Sequence, residues 1–324
     1  MPFSPSSRRA RFQWLAAVVL LVTAAACARP TRDSLPQGEG MLAVPGGRIW
    51  YQVVGDGPGT PILAIHGGPG GTSCRMRELS RLAGDRPVIF YDQLGTGRSE
   101  RPADTTLWVL PRFVAEIDAL RSRLGLEDVV LAGFSWGGTV AAEYALARPG
   151  TGIRAVILGS PLLSTPAWIA DADTLVATLP AEVRRVIRTA DSTGRYDTKE
   201  YAAAVDSFNV RYLRRTTTTA FPECASVEGN RAIYQYMWGP SEFRSTGTLR
   251  GYDRESRLAE LQMPVLLIGG EFDEARPPTL RRFQQRIPGS EVVTVPGAAH
   301  ALLADAPEPT TKAIREFLAR RGIP

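Results

Sequence analysis

The sequence predicts an α/β fold: a mostly parallel central sheet with helices on both faces and an inserted helical segment. Three observations carry that expectation. Short apolar runs alternate with helical stretches along most of the chain, the pattern of strand–helix–strand units. Several runs, such as PILAI (61–65) and PVLLIGG (264–270), are almost continuously apolar, which suits parallel strands covered on both faces. Residues 161–258 carry helical periodicity and no strong strand run, and about 100 residues is too long for a loop.

The elements follow in order. Residues 1–26 read as an export signal, in which Arg8, Arg9 and Arg11 precede the apolar run from Trp14 to Ala26. That run is too short for a transmembrane helix, which needs roughly 20 apolar residues. It ends in TAAAC, which resembles a bacterial lipoprotein cleavage box with Cys27 as the lipidated residue; an Ala-x-Ala site for ordinary signal cleavage fits the same letters. Residues 27–39 form a polar linker. MLAV, the turn PGG and RIWYQVV then read as a hairpin entering the sheet. Further strands are expected at 61–65, 87–91, 129–133, 155–159, 264–270 and 291–295, with helices at 111–124, 136–148 and the closing EPTTKAIREFLARR. The core is expected over 40–160 and 259–324. The insertion, 161–258, is expected to cap the C-terminal edge of the sheet, where open α/β sheets bind ligands.

Bulk properties exclude more than they identify. The excess of 38 basic over 33 acidic residues falls from +5 to about +2 once Arg8, Arg9 and Arg11 are set aside, and the remaining basic residues are scattered. A nucleic-acid partner is therefore not expected. With no C-x-x-C and only His66 and His300, no metal site is expected, and no cofactor is implied. Export permits a disulfide between Cys74 and Cys224, although two unrelated cysteines is the simpler reading.

The chemistry concentrates around GFSWGG (133–138). Ser135 stands between an expected strand and helix, hemmed by glycines, as the nucleophile elbow G-x-S-x-G of the α/β-hydrolase fold requires. A serine hydroxyl needs a neighbouring base. The chain order nucleophile–acid–histidine selects His300, in PGAAHALLADAP, and leaves His66 as a structural member of HGGPGG. GEFDEARP offers Glu271, Asp273 and Glu274 at the end of the preceding strand. Asp273 is chosen as the acid that orients His300. The oxyanion donors are expected to be the N–H groups of Trp136 and Gly68, with Gly67 as the alternative to the latter. Asp92 is expected to brace a loop.

HGGPGG, DQLGTGRS (92–99), GFSWGG, GPSEF (239–243), GEFDEARP and the late His300 together resemble the proline iminopeptidase family of α/β-hydrolases, over roughly 40–320. The resemblance implies a serine exopeptidase that frees an N-terminal residue, often proline, from peptides, amides or arylamides. It also implies that Glu242 and Glu274 bind the substrate's α-ammonium. DQLG departs from the DQRG of the best-known bacterial members and looks more like the branch with the tricorn-interacting aminopeptidase and amino-acid amidases, so a strict proline preference is not implied. The expected partner is a small peptide or amino-acid amide, with membrane attachment through a lipidated Cys27. A broad carboxylesterase is the competing reading. A dehalogenase or epoxide hydrolase is disfavoured because those carry Asp where this chain has Ser135, and a non-enzymatic binding protein is disfavoured by Ser135, Asp273 and His300 standing together.

Overall fold

The computed structural model describes residues 35–216 and 221–324, and in them the apolar runs become eight strands of one sheet. The expected signal and Cys27 lie outside the described residues. The strands are β1 (Gly38–Val44), β2 (Gly47–Val54), β3 (Ile62–Ile65), β4 (Val88–Tyr91), β5 (Val129–Phe134), β6 (Ile153–Gly159), β7 (Val265–Gly270) and β8 (Glu291–Val295). Their spatial order is β1-β2-β4-β3-β5-β6-β7-β8, antiparallel from β1 to β4 and parallel thereafter. Strand β1 begins inside the expected linker, because Gly38 to Gly40 already pair with Val53 to Tyr51.

The period-2 alternation of strand side chains divides the apolar interior into two layers. Leu63, Ile65, Leu131 and Leu267 face one core with α1 (Leu110–Leu124), α2 (Trp136–Ala147) and α7 (Pro277–Gln284). Ile62, Ala64, Ala132 and Ile268 face the other with a 3-10 helix over Ser73–Leu82, α8 (Leu302–Asp305) and α9 (Pro307–Arg320). Residues of β3, β5 and β7 are buried throughout, so the near-continuous apolar runs are accounted for by helices on both faces.

Between β6 and β7 the chain forms α3 (Thr165–Val176), α4 (Ala181–Thr193), α5 (Lys199–Tyr212) and α6 (Arg231–Met237). The periodicity expected over Trp168–Ala190 is split in two at Pro180, which disfavours a helical conformation in the residue before it. Ser164 and Thr198 cap α3 and α5 by accepting from Ala167 and Tyr201 N–H. These helices own a separate small core in which Phe208, Tyr201, Ile187 and Phe243 are buried together. Phe208 is thereby used up as packing.

Cys74, in the 3-10 helix after HGGPGG, and Cys224, in the insertion, are joined in a disulfide with Cα atoms 5.6 Å apart. This corrects the expectation of two unrelated cysteines. The two positions lie 150 residues apart in sequence, and only the folding of the insertion over the core brings them together.

Candidate active site

Ser135 sits where β5 gives way to α2, with φ +56° and ψ −123°. A non-glycine residue in this region is strained and persists only where its surroundings over-determine it. Here they do. A Cβ on Gly133 would lie 2.1 Å from Gly137 O, and one on Gly137 would lie 2.0 Å from Ile65 O. Strand and helix can approach this closely only because both positions are glycine. Ser135 N–H donates to Gly159 O at 2.8 Å, which locks the turn to the end of β6. Its Oγ has no hydrogen-bond partner among the described residues and is not fully buried.

The next strand ends supply the acid and the base. His300 Nδ1 lies 2.9 Å from Asp273 Oδ1. Asp273 also accepts from the N–H groups of Gly270 and Ala275 and from Ser160 Oγ. Asp273 and His300 are thus brought into direct contact, and Ser135 stands two strands away at the same sheet edge without a hydrogen bond to His300 in this state. Such contacts are often long before substrate binds. The edge of His300 meets the Trp168 ring at 5.4 Å between centroids, so a residue from α3 walls the imidazole.

The HGGPGG loop lies against the nucleophile: a Cβ on Gly67 would stand 3.1 Å from Ser135 Cβ. Gly68 (φ +135°) and Trp136 N–H, the latter at the first turn of α2, have no protein acceptor among the described residues. His66 is not a second base. Its Nε2 accepts from Gln93 N–H at 3.0 Å, so Nδ1 carries the proton and bonds Gly67 O at 2.9 Å. Burial pushes its pKa below the ordinary histidine value. Gln93 also donates to His66 O and accepts from the Trp136 indole, both at 3.0 Å, and so joins the glycine loop to the residue after the nucleophile. Asp92 accepts from Ser73 and Arg98 N–H, bracing its loop.

The three acids of GEFDEARP separate by environment. Glu271 turns away and accepts from Gly297 N–H at 2.9 Å. Glu274 is 1% exposed, and neither of its carboxylate oxygens has a hydrogen bond. His300 Nδ1 lies 3.7 Å from its Oε1. Burial, then the charges of Glu242 and Asp273, push its carboxyl well above the usual carboxylate range. Glu242, at the end of the insertion, is raised by burial against the pull of His300 and the Tyr234 hydroxyl. Glu274 is thus a buried carboxyl with both oxygens unpartnered, whose ionisation the charge of Glu242 further disfavours.

Ser160 was not foreseen. Its φ is +44°, its hydroxyl reaches Asp273 Oδ2 at 2.5 Å, and nothing in LGSP marks it in the sequence. Of the aromatics in the insertion, Trp168 and Tyr234 reach the site. Trp238 packs on Trp168, and Tyr236 lies outside on Trp108.

Comparison with known proteins agrees with this architecture. Residues 60–307 match the α/β hydrolase fold family. The chain is 40% identical to a proline iminopeptidase of Heyndrickxia coagulans across 86% of this chain and 98% of that one. It is 36% identical to a proline iminopeptidase of Levilactobacillus brevis, covering 84% and 93% of the two chains. The crystal structure of a proline iminopeptidase from Mycobacterium smegmatis superposes with a TM-score of 0.78 at 30% identity, over 88% of this chain and 98% of that one. The chain therefore belongs to the proline iminopeptidase family of α/β-hydrolases, and is a serine hydrolase of the aminopeptidase type.

Proposed function

We propose that the protein is an exported serine exopeptidase that releases one N-terminal residue, proline or another small or apolar residue, from short peptides, amides or arylamides. The observation that carries this reading is Glu274: a buried carboxyl with two orphan oxygens, facing Glu242, next to the Asp273–His300 pair. An ammonium placed there supplies the missing partner and lets both acids ionise, with charge-assisted hydrogen bonds in a dry pocket.

In the proposed reaction His300 Nε2 takes the proton of Ser135 Oγ as the oxygen attacks the scissile carbonyl. Gly68 and Trp136 N–H hold the oxyanion. His300 then gives the proton to the leaving amine, and water, deprotonated by the same imidazole, releases the acyl group from Ser135. Asp273 holds the imidazole in the tautomer with Nδ1 protonated. The ammonium site fixes the distance from the free N-terminus to the nucleophile, so the bond cut is the first one.

Export is supported by the N-terminal pattern and by the Cys74–Cys224 disulfide, a bond that persists in oxidising compartments. We assign Cys27 as the lipid attachment point on the TAAAC pattern. The deciding experiment is a panel of aminoacyl arylamides, proline and alanine included, against neutral esters of similar size. Turnover of the free-amine substrates, lost on N-acetylation, supports the exopeptidase. Ester hydrolysis with no aminoacyl arylamide turnover makes the protein a carboxylesterase instead.

A further inference from the structure

Asp305 lies five residues after the catalytic base candidate and two before Pro307, the first residue of α9. It closes α8, while the N-cap position of α9 belongs to Ala306 and carries no side-chain cap. Asp305 Oδ2 accepts from Ala299 N–H at 3.0 Å, the residue before His300. Its Oδ1 accepts from Arg215 and Thr216 N–H at 3.0 and 2.8 Å, in the chain that leaves α5. Beside this bridge, His300 N–H donates to Tyr212 O at 3.1 Å and Ala301 N–H to Leu213 O at 2.7 Å. The backbone of the base is therefore held by the insertion, with one carboxylate closing the join.

We propose that Asp305 is a positioning residue for His300: it staples the histidine loop to residues 212–216, so the insertion sets where the imidazole stands. Asp273 fixes the ring's tautomer and tilt through Nδ1. Asp305 fixes the backbone from which the ring hangs, through N–H groups on both sides of the join. Three N–H donors on one carboxylate make a charge-assisted set, stronger than neutral bonds. The arrangement ties the position of the base to that of the insertion, because a displaced 212–216 segment takes the His300 amide with it.

The inference rests on the serine-hydrolase reading of the site and not on its preference for a free amine. The test therefore uses two readouts that need no ammonium: hydrolysis of a neutral ester, and covalent labelling of Ser135 by a fluorophosphonate. Asp305→Asn keeps one acceptor oxygen and turns an NH₂ toward N–H donors; Asp305→Ala removes both oxygens. A misplacement of the base on the order of 1 Å costs about 100-fold in rate. We expect kcat to fall about 10-fold in the Asn variant and about 100-fold in the Ala variant, with KM within about twofold. Fluorophosphonate labelling should slow by the same factors, and an aminoacyl arylamide should lose no more than the ester.

A lowered melting temperature with kcat unchanged overturns the proposal, as does a loss confined to KM. Should either variant fail to fold, the wild type carries the test through amide hydrogen exchange. His300 and Ala301 N–H should be protected and should open together with the 208–216 segment; fast, independent exchange there overturns the proposal. A wild type that hydrolyses the ester and ignores aminoacyl arylamides sinks the exopeptidase reading while leaving this one standing.

Discussion

Glu274→Gln separates a peptidase site from a structural loop, because it changes charge and leaves shape nearly intact. In the free protein the Glu274 carboxyl is buried, has no hydrogen bond, and faces Glu242 and Asp273. On the proposed reading the substrate's ammonium completes it. Losing one charge-assisted contact costs about 1.5–3 kcal/mol. At about 1.4 kcal/mol per decade, kcat/KM on an aminoacyl arylamide should fall roughly 10- to 150-fold. A neutral ester has no cation to lose and should change less than about threefold. The free protein should respond in the opposite sense. A group whose folded pKa is raised binds its proton more tightly in the fold, so stability is lost as pH rises from the ordinary carboxylate value toward the raised one. The variant, which has no such group, should melt higher than wild type at pH 8, and the gap should close as pH falls toward 4.5, the unperturbed value. Paired measurements suffice: initial rates on both substrates, and thermal melts across that range. Equal losses on charged and neutral substrates would refute the ammonium role and leave Glu274 as a brace for the Asp273 turn.

Four further outcomes are expected. Ser135→Ala or His300→Ala should abolish nearly all turnover on both substrate classes, and the double variant should be little worse than either, since the groups act as a unit; wild-type-like rates in Ser135→Ala exclude the mechanism. Ser160→Ala removes a hydrogen-bond donor from Asp273 Oδ2, a loss of about 0.5–1.5 kcal/mol, so kcat should fall roughly 2- to 10-fold on both substrate classes. An unchanged kcat would make Ser160 a packing residue only. Cys74→Ser opens a link across 150 residues, for which chain entropy allows up to about 5 kcal/mol, so the melting temperature should drop and wild type with reductant should match it. A labelled fatty acid should enter the mature protein and vanish with Cys27→Ser; a mature N-terminus at Ala28 or beyond rules out lipidation.

Legibility in the sequence followed how local each cause was. Parallel strands buried on both faces leave near-continuous apolar runs, so β3 to β7 could be placed within a residue or two. Ser135 carries its own punctuation, because an elbow this tight demands glycine at 133 and 137. His300 stood out because the chain has only two histidines. Choosing among Glu271, Asp273 and Glu274 had only chain order and the strand end to go on, since three acids in four residues differ only in what they later touch. What the sequence concealed was long-range. Ser160 matters through a positive φ and a partner 113 residues away. Gln93 matters through atoms of His66 and Trp136. Cys224 finds Cys74 only after the insertion folds back.

The insertion's contacts bear directly on why one bond is cut. Asn230 N–H donates to Gly70 O at 2.7 Å and its side chain to Gly95 O at 2.9 Å, so one residue grips both the HGGPGG and DQLG loops. The disulfide fastens the same flank. Arg276 N–H reaches Asp171 of α3 behind the acid turn, and Tyr212 O holds the His300 amide. The glycine-rich, acid and histidine loops are therefore each tied to the insertion, which also supplies Glu242. On the proposed reading this matters because the ammonium site is split: Glu274 comes from the core and Glu242 from the insertion. An insertion free to swing would let that pair drift from Ser135, and the second or third peptide bond could then reach the nucleophile. On that reading, tying the two halves holds the ammonium site at a fixed distance from Ser135, which restricts cleavage to the first bond.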